Sequence, residues 1–159
     1  MSGLDYVKGY DFSRVIAHMQ RDGLSRDEAT QSAEQLRAFM ALNAMRLESP
    51  VCLVAWEGME PAWHAFILDT RAYARFCQNA FGGMLHHWPD AYGTAEFRAG
   101  WSKTVELAAK HFGIFLDRNP EARESGRGKQ WNMAAFCSRE PGEGEEWPLN
   151  VESNIQSVA

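Results

Sequence analysis

Residues 60–89 read EPAWHAFILDTRAYARFCQNAFGGMLHHWP, and three of the chain's five histidines, His64, His86 and His87, stand in them beside Cys77. Imidazole nitrogen and carboxylate oxygen are donors that zinc and iron accept, so histidines concentrated near an acid are candidate metal ligands. Glu60 and His64 are four residues apart, the spacing at which two side chains of one helix touch. A carboxylate beside an imidazole fixes its tautomer and raises its basicity, which suits a metal ligand or a general base. The candidate set is therefore Glu60, His64, His86 and His87, with zinc or iron as the ion. The alternative is an exposed helix pair and two histidines that merely pack. The spacing is neither that of a zinc finger nor that of a His-Glu-x-x-His helix. A metal-dependent hydrolase would also need a coordination position left open.

Helix geometry sorts these side chains. On one continuous helix Trp63, Ile67, Thr70, Ala74 and Cys77 share an apolar face, while Glu60, His64, Arg71 and Arg75 share a polar one. His64 and Cys77 then lie about 140° apart and cannot hold one ion. Cys77 reads as a small buried hydrophobe. Distance bears on whether the histidines meet. From His64 to Ala80 is roughly 24 Å of helix, and the chain from Ala80 to His87 reaches at most about 25 Å. They converge only if the return runs almost straight back or the helix breaks.

The elements that must position this segment are helical. Phe12, Val15, Ile16 and Met19 make one apolar stripe over 12–22, closed by Gly23. Ser25 and Glu28 form a capping box before a second stripe of Ala29, Ala33, Leu36, Phe39, Met40 and Leu47, which ends at Ser49-Pro50. The run 51–56 (VCLVAW) is a lone strand or an extended core segment. A third helix is expected from near Pro61 to about Ala80, stopped by Gly82-Gly83. A fourth spans about Ala95–Phe112 with Gly113 as its stop, and His111 on it is a further conceivable ligand. The expected fold is mainly α, a compact domain of four to five helices over residues 1–139. An apolar island, Trp131–Cys137, precedes a tail rich in Pro, Gly and Glu over 140–159.

Charge narrows the function classes. The chain has 159 residues and a net charge of −5. Five acids and no base fall in 140–159, so the body is neutral and the tail carries the whole excess. That is a poor match to nucleic acid or to an anionic membrane surface. No apolar run is long enough to span a bilayer. The N-terminal residues lack the form of a signal peptide, and three cysteines do not make a disulfide framework, so a cytoplasmic protein is expected. The sequence contains no Walker A loop and no Gly-x-Ser-x-Gly elbow. Nothing favours a nucleophile–base pair of Cys77 or Cys137 with His86 or His87 over buried thiols.

The order Trp63-His64, Ile67-Leu68-x-Thr70-x-x-Tyr73-x-x-Phe76-Cys77, Phe81-Gly82 and His86-His87-x-Pro89 resembles the signature of the glycine-rich-domain-containing protein family and its short bacterial relatives. Glu60 stands where aspartate is more typical of that family, and the glycine-rich tail is absent. The resemblance implies an α-rich cytosolic domain in which Trp63, His64, Tyr73, Cys77, His86 and His87 act as one unit. It implies no reaction.

Two functions follow as expectations. The first is binding of a metal ion or small ligand through Glu60, His64 and His86/His87, with Trp63, Arg71, Arg75, Tyr73, Cys77 and Trp88 as further ligand or interaction residues. The second is a non-enzymatic interaction module whose acidic tail engages a basic protein partner. Neither reading requires catalysis, and the oligomeric state is open.

Overall fold

The computed structural model describes residues 1–45, 52–87 and 94–118. They form six α-helices: α1 (Gly3–Gly9), α2 (Ser13–Arg21), α3 (Arg26–Ala44), α4 (Glu60–Leu68), α5 (Thr70–Phe81) and α6 (Ala95–Phe112), with a 3-10 turn at Glu57–Met59 before α4. Among the described residues there is no sheet, and 52–56 runs extended. Trp88 and Pro89, the 131–137 island and the acidic tail lie outside the described residues.

The helices begin where local chemistry tells them to. Ser25 accepts the Glu28 amide at 3.2 Å while the Glu28 carboxylate accepts the Ser25 amide at 2.9 Å, the reciprocal capping box. Ser2 and Asp5 make a second such box, which starts a short helix that apolar periodicity does not reveal. Thr94 caps α6 by accepting the Phe97 amide at 3.1 Å.

Helix α3 is the centre of the molecule, and α1, α2, α4, α5 and α6 all pack on it. Its first half is amphipathic. From Ala38 to Leu42 every side chain is buried, as a helix surrounded on all sides requires. Phe39 stands between two indoles, its ring centroid 5.7 Å from Trp56 and 5.2 Å from Trp63. On the other side Tyr10, Phe12, Phe66 and Phe76 pack as a cluster of tilted and edge-to-face rings, the arrangement that the ring quadrupole favours.

The extended segment is clamped to α6. Thr104 accepts the Val54 amide at 2.8 Å and donates its own hydroxyl proton to the Gly100 carbonyl at 2.8 Å. A Cβ at position 100 would strike the Cys52 carbonyl oxygen, so only glycine lets the two backbones approach this closely.

The third expected helix is two helices. The chain breaks at Asp69, whose backbone (φ −83°, ψ 69°) lies near the inverse γ-turn. Asp69 closes α4, and its carboxylate then accepts the Ala72 amide as the N-cap of α5. Arg14 of α2 holds the same carboxylate at 2.8 Å. A continuous helix from Pro61 to Ala80 is therefore incorrect: a capping aspartate interrupts it midway.

Candidate metal centre

The break decides where the histidines go. Without it, the return from Ala80 to His64 would need nearly its full reach. With it, α5 packs back on α4, and Gly82, in the left-handed region at φ 77°, turns the chain into the 83–87 return.

Each part of the site is held from behind. The first turn of α4 lacks a side-chain cap of its own at Met59. Ser32 of α3 instead accepts the Ala62 amide at 3.2 Å and anchors that turn to the central helix. Glu60 opens α4 as a buried residue, 9% exposed. Trp63 is wholly buried, and its indole N–H donates to the Tyr73 hydroxyl at 3.0 Å. The Tyr73 hydroxyl donates in turn to the Leu85 carbonyl, two residues before His87. The His87 ring rests on Trp63, centroids 4.9 Å apart. Cys77 is buried beside this chain of contacts, and burial pushes its thiol above the ordinary range.

Glu60, His64 and His87 converge. His64 Nε2 is 3.0 Å from Glu60 Oε2, His87 Nε2 is 3.7 Å from the same oxygen, and the two Nε2 atoms are 3.1 Å apart. Donors bound to one zinc-sized ion at about 2.0–2.2 Å stand roughly 3–3.4 Å from each other. Two edges of the triangle fit that range and the third is slightly wide. The three residues could hold a metal ion. Both Glu60 oxygens are buried, and neither receives a well-aligned hydrogen bond from the protein. A buried carboxylate needs a cation beside it, and both a protonated His64 at 3.0 Å and a metal ion would meet that need.

The electrostatics agree with the geometry. Burial works to raise the Glu60 carboxyl, but the His64 and His87 rings outweigh it and hold the group below its ordinary range. Glu60 in turn raises His64 above the usual imidazole value, against the smaller effect of its partial burial. One anionic oxygen thus faces two imidazole nitrogens.

The remaining candidates fall elsewhere. His86 is half-buried, and its ligand atoms do not join the group. Adjacent side chains leave the backbone in different directions, and of this pair only His87 joins the group. Arg71 and Arg75 are exposed on α5. The break at Asp69 removes the continuous helix on which they shared a face with His64. His111 is exposed near the end of α6. Tyr73 and Trp63 support the site from behind rather than supplying ligand atoms. The contribution of Ser32 was not readable from the motif, since it comes from another helix.

A family model, UCP032817-like, matches residues 3–96, more than half of the chain and all three converging residues. No curated protein and no solved structure matches the chain.

Proposed function

The chain belongs to the UCP032817-like family, and we propose, from the geometry of its converging side chains, that it is a metal-binding protein whose site is Glu60, His64 and His87. The ion is divalent zinc or ferrous iron, since two imidazoles and one carboxylate suit both. One observation carries the reading: a buried carboxylate with no well-aligned hydrogen bond sits within 3.0 and 3.7 Å of two imidazole nitrogens that are themselves 3.1 Å apart. An ion at the centre of that triangle would satisfy all three groups at once.

The test is elemental analysis of the purified protein together with thermal melts during zinc or iron titration. The expected result is one ion per chain and a rising Tm. At a ligand concentration a hundred times Kd, the gain is about 2.7 kcal/mol. The His64→Ala and His87→Ala variants should lose the ion and the shift, whereas His86→Ala should keep both. A protein that folds normally, purifies without metal and shows no Tm change with either ion would defeat the proposal.

A further inference from the structure

The three ligands are not held alike. The side chains of Glu60 and His87 are 12% and 15% exposed, whereas that of His64 is 52% exposed. Their contacts differ in the same way. His87 leans on the Trp63 ring and follows the Leu85 carbonyl that the Tyr73 hydroxyl pins. Glu60 lies buried in a helical turn that Ser32 anchors to the central helix. Among the described residues, the hydrogen-bonding, ionic and ring contacts of His64 are with Glu60 and His87, the other two corners of the triangle.

Motion follows from support. Trp63 and Ala65, on either side of His64, are buried, so the backbone of α4 is fixed there. The imidazole can still swing out of the triangle by rotation about its own side-chain bonds. Exposed side chains change rotamer within nanoseconds, whereas packed groups move only with their surroundings. With an ion bound, the His64 nitrogen is therefore the donor that can yield while the fold stays intact. Glu60 and His87 keep their hold meanwhile.

We infer that this is an exchangeable metal centre, which passes its ion directly to a chelating acceptor arriving on the His64 side. A deprotonated donor atom of the acceptor gives its lone pair to the ion as His64 Nε2 takes its own back, and the ion stays divalent throughout. The bonds to Glu60 and His87 break in turn as further acceptor atoms bind. A locked ion would behave differently: it would leave only when the return carrying His87 opens, at a rate that the protein alone sets. The inference rests on the metal-binding reading above.

The experiment uses the full chain loaded with cobalt(II), whose visible bands report its coordination. Loss of those bands is followed after mixing with excess EDTA, an anionic chelator, or 1,10-phenanthroline, a neutral one. The rate should rise in proportion to the concentration of either. Leu68 stands four residues after His64 on the same face of α4 and is 70% exposed, so it can carry a charge beside the entry side without disturbing the core. Leu68→Lys should speed transfer to EDTA and Leu68→Glu should slow it, each by about two- to threefold at physiological salt. Neither should change the rate with phenanthroline. A rate independent of chelator concentration would show a locked ion and overturn the inference. A proportional rate that neither Leu68 variant alters with EDTA would place the attack elsewhere and overturn the role of the His64 side. Failure of cobalt to bind at all would instead remove the metal reading, and the inference with it.

Discussion

The Tyr73 hydroxyl receives the Trp63 indole proton and donates to the Leu85 carbonyl, so a single oxygen ties α4 to the return that carries His87. The Trp63 ring then backs the imidazole itself. Groups that orient metal ligands in this way typically contribute 10–100-fold to metal affinity. Tyr73→Phe should weaken zinc binding by about that factor, as measured by competition with a chromophoric chelator. It should also cost roughly 1–3 kcal/mol of stability, because an indole N–H and a carbonyl lose their partner in the core. Val54→Ala, fully buried away from the site, provides the comparison: it should lower stability and leave Kd unchanged. Equal zinc affinity in Tyr73→Phe and the parent would show that the hydroxyl serves packing alone. At this scale the motif was partly legible. Glu60 and His64 follow from helical spacing. The choice of His87 over His86 depends on the path of the backbone after Gly82, which no spacing rule supplies.

At the scale of elements, the break at Asp69 lets His64 and His87 meet. Asp69→Ala removes the cap of α5 and the partner of Arg14. The cap is worth about 0.5–2 kcal/mol, and the exposed ion pair adds little. Urea unfolding should show a loss near the middle of the capping range. Gly100→Ala should cost more, since its Cβ meets backbone that cannot move aside alone. Undiminished stability in Asp69→Ala would mean that packing, not capping, holds the break. Periodicity could not have revealed it. Trp63, Ile67, Thr70, Ala74 and Cys77 continue one stripe across Asp69 with neither glycine nor proline to mark an end. An aspartate inside a helical pattern is ambiguous: it reads as a surface residue until its side chain is seen to cap the next turn. By contrast α6 was legible at both ends, because Thr94 and Gly113 are strong start and stop residues. The first helix leaves no trace in the periodicity, because seven residues are too few for a stripe.

At the scale of the molecule, the mainly α character follows from repeated 3.6-residue patterning and is what the structure has. Among the described residues six helices stand where four or five are expected, through the extra N-terminal helix and the divided third one. No described helix is long and apolar enough to cross a membrane. The central position of α3 was not legible, since its first half carries an ordinary amphipathic stripe and its burial depends on what packs around it.

Glu60 and His87 belong to distant parts of the chain, and an ion between them would act as a removable cross-link. It would close residues 60–87 into a ring and tether the glycine-containing return to the body. Proteases cut chains that can open locally, and glycine pairs such as Gly82-Gly83 are natural points of entry. Limited digestion with a protease of broad specificity should nick the metal-free chain within 82–87, and saturating zinc should slow that cut at least tenfold while other cuts proceed as before. Equal nicking with and without zinc would show that the return holds its place unaided. If the protection is seen, intracellular lifetime would track metal supply, and the centre would govern how long the protein persists as well as what it binds.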